Sequence, residues 1–209
     1  MNVIIKEACV ESVAQAIKAE ALGANRIELC AEWEVGGLTP SRALIELVQK
    51  EVSIPIRVMI RPRAGDFNYN QEEFQQMLES IELCKELGVE GVVFGVLKED
   101  LTLDIPVITK LANAAHPLKV VVHKAIDETK SPVDSLKELL KIKKIDTVLT
   151  SGGKENAYDG AENLRKMIAL SANEIEIMAQ GHITTVNFDE LHSLIGARAY
   201  HGKNIVGNI

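Results

Sequence analysis

Short apolar runs alternate with amphipathic segments from one end of this chain to the other, a pattern that few architectures accommodate. The apolar runs predict strands near residues 3–8, 25–29, 56–60, 91–94, 118–123, 146–149 and 174–178, with a weak last one near 199–201. Helices are expected between them. Thr39-Pro40 and Ser131-Pro132 each place a capping hydroxyl before a proline at a first helical position. Asn70 precedes a helix over Gln71–Leu87, in which Phe74, Met77, Leu78, Ile81 and Cys84 recur at helical spacing. Gly23 and Gly88 close two helices just before the next strand. Helical signal after the sixth strand resumes near Gly160.

Such alternation predicts parallel βαβ units. An open doubly wound sheet usually carries a glycine-rich turn after its first strand. Here that turn is Ala8-Cys9-Val10-Glu11-Ser12, without a glycine. The expected fold is therefore α/β, a compact TIM (β/α)8-type barrel with little or no helix after its last strand. No linker or low-complexity tract divides the chain, so residues 1–209 are read as one domain.

Composition narrows the partners. At 209 residues and 46% hydrophobic, the chain can build one core but not two ordinary enzyme domains. The 30 acids against 23 bases leave a net charge of −7, and aromatics are only 4% of residues. Nucleic acid and anionic membrane surfaces need a concentrated cationic face, so neither is expected as partner. No stretch approaches the roughly 18 apolar residues of a membrane span, and Lys6 and Glu7 interrupt the first apolar run before it reaches signal-peptide length. Cys9, Cys30 and Cys84 form no CxxC pair, which predicts reduced thiols and a cytoplasmic location.

In such barrels chemistry collects where strands end. Those positions hold Glu7 and Cys9, Glu28 and Cys30, Arg61 and Arg63, His123 and Lys124, Thr150 to Gly153, Gln180 to His182, and His201. Period-two alternation puts Glu7 with Cys9 and Glu28 with Cys30 on common faces. Glu7, Glu28 and Glu176 are expected inside the barrel opposite Arg61 or Arg57, as a paired polar cluster near the mouth, because buried charge must be paired. That cluster serves either a ligand or only the fold. Cys84 continues an apolar helical stripe and is read as core. Cys9 and Cys30 follow adjacent strands, whose spacing of about 4.8 Å lets two thiols converge on one soft ion; two buried hydrophobes are the alternative. Arg61 and Arg63, held extended by Pro62, can fork onto a carboxylate or phosphate. Ser151, Gly152 and Gly153 can cradle an oxyanion with backbone N–H groups. His123 is a candidate acid/base with Asp127 to orient it, or a hydrogen-bonded histidine at the mouth. His116 and His192 are read as surface residues. Leu136, Leu139 and Leu140 offer a helix face for a subunit contact.

Taken together, KEACVES, GANRIELC, GGLTPS, VMIRPRAGDFNYN, GVVFGVL, LTSGG and IMAQGHI, in this order over essentially the whole chain, resemble the CutC family of copper-homeostasis proteins. The resemblance implies a single cytoplasmic barrel that self-associates, a link to copper tolerance and Cu(I) binding, with no reaction attached. It places Cys9, Cys30, Arg61, Arg63, Asp66, His123, Asp127 and Ser151 to Gly153 in family blocks. The chain departs from the family pattern at Lys124 and Ile126, where arginine and phenylalanine are usual. It departs again at Gln180 and His182, which replace small residues, and in the looser tail that keeps His201. Lys124 cannot reproduce a guanidinium fork, and His182 can add a nitrogen ligand or cover the pocket.

Three readings follow. One is a Cu(I)-binding protein with Cys9 and Cys30 as metal ligands, bordered by a polar mouth of Glu7, Glu28, Lys124, Glu176, His182 and His201. The second is an enzyme for a small anionic metabolite, such as a phosphorylated one. There Arg61, Arg63, Ser151, Gly152 and Gly153 bind the anion and His123 with Asp127 moves protons. The third is a structural module whose charges serve one another.

Overall fold

A computed structural model describes residues 3–209. Eight strands run parallel: β1 (Ile5–Val10), β2 (Arg26–Leu29), β3 (Ile56–Met59), β4 (Gly91–Phe94), β5 (Lys119–Val122), β6 (Thr147–Thr150), β7 (Glu176–Ala179) and β8 (Ala199–Gly202). They close in chain order, β8 pairing with β1. Between them lie α1 (Val13–Ala21), α2 (Arg42–Glu51), α3 (Gln71–Leu87), α4 (Ile105–Ala115), α5 (Pro132–Leu139), α6 (Ala157–Ser171) and α7 (Phe188–Ile195). No helix follows β8, and no described helix is long and apolar enough to cross a membrane. The TIM barrel expected from the alternation is the fold.

Local signals account for most boundaries. Asn70 caps α3 in a reciprocal capping box with Glu73, and Gly88 ends the helix in the left-handed conformation. Ser131 caps α5 with Pro132 at its first position. Thr39-Pro40 does not start a helix. Ser41 caps α2 instead, while the Thr39 hydroxyl accepts from the Arg61 N–H and donates to the Arg61 carbonyl. Asn156 starts α6 before Gly160, by accepting the Asp159 N–H.

Strand parity separates two apolar layers. Outward residues such as Val92, Val120, Val122 and Val148 pack beneath helix residues Ile45, Ile81, Ile108, Leu111, Leu136 and Leu164, each large side chain contributing about 1.5–3 kcal/mol by burial. Leu136 and Leu139 are fully buried in this layer, so they are not free for the subunit contact that their spacing suggested. His192 is half-buried, its ring nitrogen 2.9 Å from the Tyr200 hydroxyl, rather than a plain surface residue. Inward residues Cys9, Cys30, Met59, Val93, Val121, Leu149, Met178 and Ala199 fill the barrel.

Beneath that plug lies a charged floor. Glu7, wholly buried, accepts from Arg26 Nε, lies 2.9 Å from His201 Nδ1 and 3.8 Å from an Arg57 nitrogen. Arg26 reaches Glu176 at 3.3 Å, and Arg57 pairs with Glu90 at 2.7 Å and with the Thr147 hydroxyl at 3.2 Å. Six strands are tied together across the interior. Burial alone would raise the Glu7 pKa, but Arg26, His201 and Arg57 hold it near 2.

The predicted partnering differs in two respects. Glu7 meets Arg26 and Arg57 and Glu176 meets Arg26, while Glu28 pairs with no arginine among the described residues. None of the three reaches Arg61, because Arg61 lies past the end of β3 at the opposite end of the barrel from the floor. Glu176 opens β7 and lines a cleft with Asp146 and Arg198 at the strand starts, so it does not belong to the mouth. Glu7→Ala leaves Arg26 and Arg57 buried with too little negative charge and is expected to cost about 3–5 kcal/mol. Urea denaturation against wild type measures this; a loss under 1 kcal/mol would show the floor to be energetically idle.

Candidate metal centre

A cavity of about 670 Å³ opens at the strand C-terminal ends. Parallel register builds its deepest part. Cys9 pairs with Glu28 across β1 and β2, Cys30 follows β2 by one residue, and β8 brings His201 to the other side of β1. The Cys9 and Cys30 sulfurs lie 3.8 Å apart, and Cys9 Sγ lies 3.8 Å from Glu28 Oε1. One ligand atom from each of Cys9, Glu28 and His201 falls within 4.8 Å of the other two. His201 Nδ1 is engaged by Glu7, which leaves Nε2 for a ligand, the arrangement by which a carboxylate orients a metal-binding histidine.

Glu28 Oε2 is buried without a hydrogen-bond partner, so this carboxylate oxygen keeps a lone pair unused, as acceptor or metal ligand, beside two thiols. Burial pushes the Glu28 pKa up, countered in part by His201. The Cys9 thiol is pushed well above its ordinary value by its hydrogen bond with Cys30, by burial and by the Glu28 charge. All three cysteines are free. Gly37, at φ +82°, closes over Cys30; a β-carbon there would stand 3.2 Å from Cys30 Cβ and 3.4 Å from its sulfur. Cys84 is buried in α3, as its stripe predicts, with its pKa raised by burial to about 12.

The other predicted site residues separate. Lys124, His182 and His201 line the cavity with Glu28 and His123, whereas Glu7 lies below it. Arg61 is buried, its guanidinium donating to the carbonyls of Val35, Gly37 and Gly65 and lying 5.0 Å from the Phe67 ring centre. Arg63 points away from the cavity, to Glu73 at 2.6 Å and Asp66 at 2.9 Å. The two therefore do not form one anion fork. The Ser151–Gly153 turn holds an anion of its own chain: Asp127 accepts from the Thr150 hydroxyl, from Ser151 N at 2.9 Å, from Gly153 N at 2.8 Å and from Gln180 at 3.3 Å. Ser151, Gly152 and Gly153 are thus already filled, and Asp127 is not paired with His123. His123 Nδ1 instead accepts the Ala125 N–H. The ligand capacity of Glu28 and His201 was missed by sequence reasoning. The alternation Glu28-x-Cys30 already placed the carboxylate and thiol on one face; only barrel closure brings His201 beside them.

Burial, then the charges of Arg61 and Lys124, lower the His123 pKa from 6.5 to about 3. The unfolded chain takes up this proton as pH falls below 6.5 while the folded protein does not, so this contribution to stability is lost progressively from pH 6.5 down to 3. His123→Gln cannot titrate. The stability gap between wild type and variant is expected to narrow through that window, measured by urea denaturation at stepped pH; a constant gap would contradict a neutral buried imidazole.

Comparison with known proteins identifies the family. The CutC family model matches residues 4–206. A CutC family protein of Parabacteroides distasonis is 40% identical over 198 residues, covering 94% of this chain and 81% of that protein. The human copper homeostasis protein cutC homolog is 38% identical over 200 residues, covering 96% of this chain and 73% of its own length. A crystal structure described as a CutC copper homeostasis protein, from Streptococcus agalactiae, superposes with a TM-score of 0.90 at 29% identity, covering 97% of this chain and all of that one. With its motifs, barrel and near-complete alignment all in agreement, this chain belongs to the CutC family.

Proposed function

We propose that this protein serves copper homeostasis by holding Cu(I) at the bottom of the barrel mouth, with Cys9 and Cys30 as thiolate ligands and Glu28 and His201 beside them. The observation that carries the reading is the pair of buried, free sulfurs 3.8 Å apart. They are too distant for a disulfide, about 2.04 Å between sulfurs, yet close enough for one ion to touch both. Soft thiolates select Cu(I) over hard cations. The names of the relatives, copper homeostasis proteins in human and mouse, point the same way. Three free thiols also support a reducing, cytoplasmic setting. The enzymatic alternative loses its main supports, since Asp127 is taken up by the Ser151–Gly153 turn and Arg63 by Glu73.

Binding must displace thiol protons, because the Cys9 thiol is held protonated in the empty site. Cu(I) affinity is therefore expected to rise with pH, by roughly tenfold per unit for each proton released. Competition against a chromophoric Cu(I) chelator measures it under reducing conditions. Cys9→Ser with Cys30→Ser should abolish binding, and His201→Gln should weaken it roughly 10–100-fold. Equal affinity in wild type and the double variant would remove the cysteines from the site. Retention of Zn(II) in preference to Cu(I) would overturn the metal assignment, since two thiolates, a histidine and a carboxylate can also suit zinc.

A further inference from the structure

The cavity is far larger than an ion, and beside it stand polar groups whose hydrogen-bonding capacity the fold does not exhaust. His123 is 2% exposed, lines the cavity, and has a buried Nε2 without a hydrogen-bond partner. Its Nδ1 accepts from Ala125, so the proton of the neutral ring sits on Nε2, making this atom a donor. The ring cannot turn away cheaply. A β-carbon on Gly95 would fall 2.6 Å from its Nδ1, and Phe67 packs against it with ring centres 4.7 Å apart.

Two cations act by charge on the same ring and converge near Gly36. The Arg61 guanidinium and the Lys124 ammonium come within 3.1 and 3.4 Å of the position a β-carbon on Gly36 would take. Arg61 is almost wholly buried, and its donor partners are backbone carbonyls, not carboxylates. Among the described residues no acid lies within salt-bridge distance of Arg61 or Lys124. Of the acids that line the cavity, Glu34 and Glu155 are exposed and solvated. Glu28 is buried and feels the Lys124 charge from beyond salt-bridge distance, as the exposed Glu128 feels both cations. A buried N–H donor without an acceptor costs free energy unless one completes it, and the buried Arg61 with the exposed Lys124 favours an acceptor that is an anion.

We propose that His123 Nε2–H and Lys124 Nζ, with the Arg61 charge behind the Val35–Gly37 loop, form a subsite for the oxyanion of a small organic molecule, a carboxylate or a phosphate. The oxyanion accepts from His123 and Lys124, while the molecule's body occupies the remaining cavity, whose volume of about 670 Å³ lies in the range of small-molecule pockets. This subsite is separate from the anion turn at Ser151–Gly153, which Asp127 fills. It does not depend on a metal at Cys9, so the copper experiments neither establish nor remove it.

The test uses metal-free, full-length protein under reducing conditions, titrated with inorganic phosphate and separately with malonate, at ionic strength matched by sodium chloride. Wild type is expected to show saturable binding of at least one anion, with a shift of the His123 Nε2–H resonance in the ¹⁵N–¹H spectrum. Which anion binds more tightly identifies the class. Lys124→Met, a change at an exposed side chain that should leave folding intact, is expected to weaken binding roughly tenfold. Three results would each overturn the proposal: no saturable response to either anion, saturation without movement of the His123 resonance, or a loss of binding on Lys203→Met, at another lysine that lines the cavity, but not on Lys124→Met.

Discussion

A single buried carboxylate organises this barrel. Glu7 has no exposure to water, yet it meets two arginines and a histidine from three other strands. A charge in that position is tolerable only when all its partners are in place, so β1, β2, β3 and β8 must close in one register for any of them to be satisfied. The same carboxylate engages His201 Nδ1 from below and leaves its second nitrogen available as a ligand, in a histidine that lies close to Cys9 and Glu28. Structural and site roles therefore meet in one side chain: the floor that closes the barrel also orients a ligand of the candidate metal centre.

Above the floor the cavity has two unlike walls. On one side, β1, β2 and β8 supply sulfur, carboxylate and imidazole in an arrangement suited to a soft ion. On the other, the segment after β5 supplies an N–H donor and the Lys124 ammonium, and the segment after β3 supplies the Arg61 guanidinium, the two cations meeting at Gly36 in the loop after β2. Opposite strands of a barrel present their ends to one opening, so such an asymmetry needs no additional domain. The Asp127 contacts show the complementary solution within the same molecule. There a nest of N–H groups receives a carboxylate from its own chain and is finished.

The fold was legible in the sequence because its signals are local and repeated. Apolar runs, caps at Asn70 and Ser131 and the stop at Gly88 each depend on neighbours a few residues away. The exceptions have physical causes. Thr39 resembled a helix cap, but its hydroxyl is taken by the backbone of Arg61, 22 residues later. Leu136 and Leu139 lie on a spacing that suits a subunit contact as well as a core, and periodicity cannot tell which neighbour covers a face.

For the candidate site, strand parity alone determined which residues of one strand share a face and which end of the barrel they approach, Glu7 with Cys9 and Glu28 with Cys30; that the two thiols meet was decided by the fold. Pairing was decided only in three dimensions. Arg61, Arg63, Asp127 and the Ser151–Gly153 turn all have the chemistry of an anion site, yet each finds its partner among carbonyls, carboxylates or N–H groups brought near by loop paths. His201 joins Cys9 and Glu28 because the last strand returns to the first, 194 residues from Glu7. Composition and spacing specify what a side chain can bind; closure of the barrel determines which of its possible partners lies within a few ångströms, and hydrogen bonding and charge compensation act only at that range.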